Sequence, residues 1–559
     1  MEQEKIIIYQ VFTRLFGNQN TTRKKNGTCA ENGCGKMNDF DEKTLRSIKS
    51  MGFTHIWYTG IIRHATVTDY THYGIPGQNA EVVKGKAGSP YAITDYYDVD
   101  PDLAVNVERR MQEFEDLIER THRAGMKVII DFVPNHVARQ YKSICKPEGI
   151  KDLGETDDVN MHFSIRNNFY YCWGEPLDLS EIQISDSNSQ GQLYEEVPAK
   201  ATGNDYFGNR PGRNDWYETV KLNYGIDYCD AGGRSEHFDP IPNTWSKMTD
   251  ILLFWAHKGV DGFRCDMAEM VPAAFWTWAT DKVKYRYPEK IFIGEVYDPN
   301  QYRNYLNAGF DYLYDKVGMY DCVRDVICGR RWAGDITAQW QATDDIRAHM
   351  LYFLENHDEQ RIASDFFAGD AWKAIPGLMV CVLLRNNPFM CYAGQELGEQ
   401  GMDEEGFSGK DGRTTIFDYW SVNSLIHGYY QRRKLTKNER SLMAVYQKIL
   451  MLANTEKAIR EGECYDLMYV NQHLAYQQFA FLRKEEYDLI LVLVNFSGES
   501  AECDVTIPRH AFEYLHIPRT EATAIDLMTG DTMGIVLCPD SSLHVAVAPY
   551  TGRIYKIKV

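Results

Sequence analysis

Short apolar runs alternate with amphipathic stretches from the start of the chain to about residue 435. Several runs are almost continuously apolar, as expected for parallel strands that are covered on both faces. Between them, segments such as 107–124 and 372–384 repeat their apolar positions with helical spacing. Eight strands that alternate with helices favour a closed (β/α)8 barrel, an α/β fold, over an open doubly wound sheet. The predicted strands are Ile6–Phe12, His55–Thr59, Lys127–Val133, Gly259–Asp266, Ile291–Tyr297, Asp311–Val317, Met350–Glu355 and Pro388–Ala393.

One connection in this pattern is far too long for a barrel loop. Between the third and fourth predicted strands lies a long segment rich in Gly, Asn, Asp, Tyr and Trp. A structureless loop of that length is improbable inside a compact domain. We therefore predict an inserted subdomain over 137–243, with the barrel formed by 1–136 and 244–435.

The pattern changes after residue 436. A last helical stretch, 438–454, leads into strand-like segments that are separated by turn residues. Such a succession is typical of an antiparallel β-sandwich. We therefore expect a C-terminal β-sandwich domain over 436–559.

The formal net charge of −19 makes a nucleic-acid partner unexpected, since such proteins need a basic face. No window is apolar for the length that a membrane span requires, so we expect no membrane span. The N-terminal sequence MEQEKIIIYQVF shows no signal peptide, which favours the cytoplasm. A secreted protein already trimmed of its signal would look the same.

The 13 cysteines are an odd number spread along a long chain, which is unlike a disulfide framework. Cys265 and Cys391 lie in runs that read as buried strands, so reduced thiols are expected. Cys29 and Cys34 form the one local pair that could bridge or bind a metal, but their spacing fits no strong zinc pattern.

Titratable residues stand at the ends of several predicted strands, where barrel enzymes carry their active sites. Strand 3 ends in DFVPNH, with Asp131, Asn135 and His136. Strand 4 ends in GFRCD and strand 5 in IGE, while strand 7 runs into FLENHD. A lone Asp or His at such a position is more often a cap or a structural residue. Four such segments, in order and each ending a separate strand, predict one polar rim.

Strand periodicity assigns roles within this rim. Arg264 and Asp266 are two residues apart and so share a face, whereas Cys265 points the other way. A guanidinium beside Asp266 is expected to lower the pKa of that carboxyl and keep it ionised, as a nucleophile requires. Glu295, with Gly294 and Val296 beside it, is expected to lie away from a fixed cation and to have a raised pKa, as a general acid requires. Two carboxyls with separated pKa values are typical of glycoside hydrolysis.

These segments resemble the conserved regions of glycoside hydrolase family 13, the α-amylase family. The resemblance runs in order over about residues 5–420, and secondary markers fit as well. The four main matches are DFVPNH, GFRCDMAEM, IFIGEVY and FLENHD, and the secondary ones are GFTHIWYTGI, SPYAITDYYDVDP, MCYAGQELG and, loosely, LNYGIDY.

The resemblance implies a double-displacement reaction on an oligosaccharide or polysaccharide. Asp266 is then the nucleophile, Glu295 the general acid/base, and Asp358 the third carboxylate, which grips the donor sugar. Arg264 is implied to orient Asp266. Four further residues are implied to contact substrate: His136, His357, Tyr91, which stacks beneath the sugar, and Arg361, for which a solvated salt bridge is the alternative.

The resemblance also implies a structural calcium ion between the barrel and the inserted subdomain, with Asn135 as one ligand. No organic cofactor is expected. The other calcium ligands cannot be placed from the sequence.

The chain departs from the family pattern after the nucleophile. Many α-amylases carry a Lys-His pair where Glu269 and Met270 stand here, so a cation is missing from the acceptor side. This favours short oligosaccharides over starch, unless Glu269 only caps or pairs within the protein. Met267 matches no linkage marker, which leaves α-1,4 and α-1,6 bonds open. The segment FYYCWG (169–174) is either a sugar platform or subdomain core.

Three functions remain possible at this stage. A hydrolase and a transglycosylase or isomerase use the same residues, so the sequence does not separate them. A catalytically silent, carbohydrate-binding barrel is disfavoured because all three carboxylates are present.

Overall fold

The computed structural model describes residues 4–182, 193–407 and 409–559. Eight parallel strands close into a barrel in which each pairs with its neighbours in chain order and the last pairs with the first. The prediction of a (β/α)8 barrel is therefore confirmed. The barrel strands are β1 Ile7–Phe12, β2 His55–Thr59, β3 Lys127–Phe132, β4 Gly262–Cys265, β5 Ile291–Gly294, β6 Tyr312–Tyr314, β7 Met350–Phe353 and β8 Phe389–Tyr392.

A helix follows each barrel strand and packs outside it. The buried residues of the second helix, for example, include Phe114, Leu117, Ile118 and Thr121, whose spacing places them on one face toward the strands. These helices are α1 Glu42–Ser50, α2 Arg110–Arg123, α3 Asn243–His257, α4 Ala273–Arg286, α5 Tyr302–Asn307, α6 Asp321–Ile327, α7 Ile375–Leu383 and α8 Lys437–Thr455. Helix α8 packs against α7, so it completes the barrel although it lies beyond the boundary predicted at 436.

Side-chain alternation along the strands creates two apolar layers. One cluster fills the barrel interior and includes Ile8, Trp57, Ile129 and Met390. The other lies between the strands and the helices and includes Phe263 and Cys265. Cys265 therefore points outward while Arg264 points into the barrel, as the alternation predicts.

The inserted segment between β3 and α3 returns to the barrel through a short antiparallel pair. His136–Ala138 pairs with Thr219–Lys221, and His136 lies opposite Lys221 in the register. This pairing brings part of the insertion back to the carboxyl end of β3. In the FYYCWG segment, Phe169 through Cys172 are buried, whereas Trp173 is 77% exposed.

The C-terminal domain consists of two antiparallel sheets, which confirms the predicted β-sandwich. Its strands are β9 Glu463–Asp466, β10 Gln478–Glu485, β11 Asp488–Asn495, β12 Ala501–Ile507, β13 Thr520–Asp526, β14 Thr532–Leu537, β15 Ser541–Val547 and β16 Thr551–Lys558. One sheet has the order β9-β10-β11-β16-β13-β14, and the other pairs β12 with β15. No helix in the described part of the chain has the length and apolar character needed to cross a membrane.

Candidate active site

A pocket of about 240 Å³ opens at the carboxyl ends of the barrel strands. The three predicted catalytic carboxylates, Asp266, Glu295 and Asp358, line it together. The remaining wall comes from the loops after β2, β4, β5 and β8, from the end of β3 and from the insertion. These residues are Lys84, Ser89, Tyr91, His136, Trp216, Glu218, Thr219, Met267, Tyr297, Ile416 and Phe417.

Arg264 organises the floor of the pocket. Its NH1 donates to Oδ1 of Asp266 at 2.7 Å, and its NH2 lies 2.7 Å from Oε2 of Glu295. The guanidinium also lies 3.8 Å from Asp131 and packs over the Trp57 ring. One buried cation therefore joins the two carboxylates that β4 and β5 carry.

This geometry corrects the electrostatic reasoning from the sequence. Glu295 was expected to lie away from a fixed cation, but Arg264 pairs with it directly. The pKa of Asp266 was expected to fall, but burial raises it well above its usual range even though Arg264 acts to lower it. The alternation along β4 places Arg264 correctly, but it reveals neither how deeply Asp266 is buried nor that the guanidinium reaches the next strand.

Glu295 receives hydrogen bonds on both carboxyl oxygens. The hydroxyl of Tyr297 donates to Oε1 at 2.7 Å, and the backbone N–H of Met267 donates to Oε2 at 2.8 Å. Met267 adopts a left-handed backbone conformation, with φ of 43°, directly after Asp266. This conformation costs free energy in a residue with a side chain, and such strain is found at functional sites.

Asp358 lies at the mouth of the pocket beside His357. Although 44% of its side chain is exposed, burial of the carboxyl and the nearby charge of Glu295 raise the pKa of Asp358 to about 7. His357 Nδ1 accepts from Gln10, so its proton lies on Nε2, 3.1 Å from Asp358 and 2.5 Å from the Tyr91 hydroxyl. Burial lowers the pKa of His357 well below its usual value, so the ring is neutral.

Tyr91 and His136 occupy the positions that the sequence suggests for contacts to a sugar. The Tyr91 ring stacks on His357 with centroids 5.2 Å apart and lines the pocket. The His136 ring lies 5.2 Å from that of Trp216, which the insertion contributes. Burial lowers the pKa of His136 to about 3, so it too is a neutral hydrogen-bonding group.

Arg361 does not reach this pocket, which corrects the expectation that it contacts substrate. Its side chain is buried, and its NH1 donates to Glu355 at 2.9 Å. Its Nε donates to Thr414, its NH2 donates to the Ala393 carbonyl, and the guanidinium lies over the Tyr392 ring. The ion pair is buried rather than solvated, and its role is to hold the loop after β7 against β8.

The surroundings of Asn135 do not fit the expected calcium ion. Oδ1 of Asn135 accepts from the Lys221 ammonium at 2.9 Å, and its Nδ2 donates to the Gly203 carbonyl. The same ammonium lies 2.5 Å from Asp205. Burial lowers the pKa of Lys221, while Asp205 favours the charged form. A protein cation therefore occupies the position beside Asn135 that a metal cation needs.

Two other groups of side chains in the described residues are close enough to hold a metal, and neither includes Asn135. Asp95, Asp98 and Cys145 form the first, but Arg63 and Arg110 already pair with its carboxylates. Asp227, Asp230 and His237 form the second, where backbone N–H groups donate to both aspartates.

Glu269 does not face the pocket with a free carboxylate. Its Oε2 accepts from the backbone N–H groups of Tyr297, at 2.9 Å, and Asp298, at 3.1 Å. Of the two roles considered from the sequence, the structure therefore shows capping within the protein. Oε2 of Glu269 is therefore taken by two backbone donors and is not offered to an acceptor sugar.

Sequence reasoning missed Tyr297 and Lys221 as parts of the site. Tyr297 stands two residues after Glu295, and the same i, i+2 rule that linked Arg264 to Asp266 could have found it. Lys221 offers no such signal, because its place depends on how the insertion folds back onto β3. The same holds for Trp216 and for the loop residues Ile416 and Phe417.

Comparisons with known proteins agree with this architecture. A family model described as the α-amylase catalytic domain matches residues 10–179 and 240–462. Alpha-amylase 3 of Dictyoglomus thermophilum is 24% identical over 90% of this chain and 89% of its own. Trehalose-6-phosphate hydrolase of Bacillus subtilis is 20% identical over 99% of this chain and 98% of its own. The crystal structure of the Geobacillus thermoleovorans α-amylase complexed with acarbose superposes with a TM-score of 0.65, at 19% identity over the whole of both chains.

Proposed function

Since the chain belongs to the α-amylase family of glycoside hydrolases, we propose that it is a retaining hydrolase of α-glucans or malto-oligosaccharides. The observation that carries the proposal is the sharing of one buried guanidinium by Asp266 and Glu295. It keeps the two carboxyls next to each other, as a nucleophile and an acid/base acting on one bond require. Retaining pairs stand roughly 5–5.5 Å apart, whereas inverting pairs need room for a water molecule.

In the first step, the ionised form of Asp266, which Arg264 favours against the effect of burial, attacks the anomeric carbon and forms a covalent glycosyl-enzyme. Oδ1 of Asp266 is held by Arg264, so we assign the attack to Oδ2. The bond to the leaving oxygen breaks, and that oxygen takes its proton from Glu295. In the second step, water attacks the anomeric carbon and gives a proton to Glu295, and Asp266 leaves as a carboxylate.

The other pocket residues fit the donor sugar of this reaction. Asp358 offers acceptor oxygens to two sugar hydroxyls, and the neutral His136 and His357 offer further hydrogen bonds. The Tyr91 ring provides an apolar face for the sugar ring.

The test is product analysis with soluble starch, maltotriose, isomaltose, trehalose and sucrose. We expect hydrolysis of an α-glucoside in which the first-formed sugar is the α-anomer, observed by NMR before mutarotation. First-formed β-anomer would exclude the covalent mechanism. Predominant transfer to a sugar hydroxyl would favour the transglycosylase of the same family, since water and sugar compete for one intermediate. No turnover of any α-glucoside would reject the proposal.

A further inference from the structure

The side chain of Glu269 ties two active-site loops together. Glu269 lies on the turn Ala268–Met270, which follows β4 and the nucleophile. Its carboxylate accepts from two consecutive backbone N–H groups, at Tyr297 and Asp298, in the loop after β5. Hydrogen bonds to a charged acceptor are stronger than neutral ones, so this contact fixes the loop that follows Glu295.

The turn that carries Glu269 is itself held in place. The Tyr305 hydroxyl lies 2.9 Å from the backbone carbonyls of both Glu269 and Val271. The Trp276 ring nitrogen donates to the Ala268 carbonyl at 3.0 Å. Glu269 therefore projects from a fixed base, and its position dictates that of Tyr297.

Tyr297 in turn contacts the acid/base residue. Its hydroxyl donates to Oε1 of Glu295 at 2.7 Å, while Met267 and Arg264 hold Oε2. Burial and the neighbouring carboxylates raise the pKa of Tyr297 far above its ordinary value, so the phenol remains a donor at working pH. Tyr297 also lines the pocket, so it meets Glu295 on the side from which substrate enters.

We propose that Glu269 is a positioning residue that acts through Tyr297 to fix the orientation of Glu295. The proposal rests on the role of Glu295 as acid/base in the proposed function. The Tyr297 hydroxyl holds Oε1 of Glu295, so it orients the carboxyl in both steps.

The positioning role gives a physical reason why position 269 carries glutamate instead of the lysine of many α-amylases. Lysine carries only donors and could not accept from the two backbone N–H groups. Glutamine keeps one carbonyl oxygen that can accept both. Other charged and titratable groups face Glu295 and stay unchanged in the test: Arg264, Asp266, Asp131, Tyr314 and Asp358.

The experiment measures kcat and KM against pH for four variants on the best substrate of the wild type. Glu269→Ala is expected to lower kcat about tenfold with little change in KM, and Glu269→Gln to restore most of it. Tyr297→Phe is expected to lower kcat about tenfold with little change in KM, because Glu295 loses the donor that fixes Oε1. Asp281→Ala, which removes an exposed carboxylate from α4, is the control and should behave as wild type.

The outcomes separate this inference from the proposed function. An inactive wild type would reject the function on which both depend. An active wild type whose Glu269→Ala and Tyr297→Phe variants keep its kcat, with only a lower melting temperature, would overturn the positioning role. Equal loss of kcat in Glu269→Gln and Glu269→Ala would also overturn it, because the glutamine oxygen should suffice.

Discussion

The ammonium of Lys221 lies 2.9 Å from Oδ1 of Asn135, so a side chain joins the insertion to the end of β3. Lys221 is buried, and its second partner is Asp205, within the insertion. The Tyr228 ring lies 5.6 Å from the ammonium and adds a favourable cation–π contact. A fixed positive charge thus links barrel and subdomain beside His136.

Chelation of calcium should therefore leave both activity and melting temperature unchanged, whereas Lys221→Met should lower the melting temperature strongly. Removing one partner of a buried ion pair costs about 3–5 kcal/mol. Thermal unfolding with and without a chelator measures both effects. Lys151→Ala, at a 67% exposed side chain of the same subdomain, is the control. A chelator that destabilises the wild type as much as Lys221→Met does would restore the calcium hypothesis.

The roles of Asp266 and Glu295 predict that the loss of kcat on mutation depends on the substrate in different ways. Asp266→Asn should lower kcat about 10⁴-fold or more on every substrate, because no covalent intermediate can form. Glu295→Gln should lose about 10²–10⁴-fold on a natural glucoside, but much less on one whose leaving group needs no proton. Steady-state kinetics on both substrate types checks this. Equal losses for Glu295→Gln on the two types would contradict its role as the acid.

The barrel and the rim were predictable from the sequence because both depend on local periodicity. Alternation along β4 correctly placed Arg264 inward and Cys265 outward. Conversely, the pKa of Asp266 was predicted in the wrong direction, because burial is a property of the packed site and not of its neighbours in sequence.

Contacts between distant segments could not be predicted in this way. The contact of Lys221 with Asn135 depends on the register between His136–Ala138 and Thr219–Lys221, across more than eighty residues of insertion. Arg361 illustrates the same limit. Its position after the FLENHD segment suggested the sugar, but its partner Glu355 belongs to that segment itself.

Arg361→Ala should therefore damage stability rather than substrate binding. The variant leaves Glu355 buried without its partner, which costs about 3–5 kcal/mol. We expect a lower melting temperature and, for the folded fraction, a KM within about twofold of the wild-type value, since no contact with substrate is lost. Thermal unfolding and initial-rate kinetics measure the two effects. A large rise in KM with unchanged stability would return Arg361 to the substrate site.

The raised pKa of Asp358 predicts that the active site destabilises the fold as pH rises. The carboxyl has a pKa of about 7 in the folded protein and about 3.9 in an unfolded chain. Between these values the folded state holds a proton that the unfolded state releases. The free energy of unfolding is therefore not reduced by this group below about pH 4, and it falls as the pH rises from about 4 to about 7.

Asp358→Asn removes this dependence, so the variant should gain melting temperature relative to wild type at pH 8 and gain less at pH 5. Solvent screening at a side chain that is 44% exposed reduces the size of the effect but leaves its sign. Scanning calorimetry without ligand at both pH values measures it, with the exposed Asp365→Asn as the matched control. Equal gains in melting temperature at pH 5 and pH 8 would contradict the raised pKa of Asp358. We expect the gain in melting temperature to be confined to high pH and the activity to be lost. That result is typical of a carboxyl whose unfavourable burial is kept because catalysis needs it.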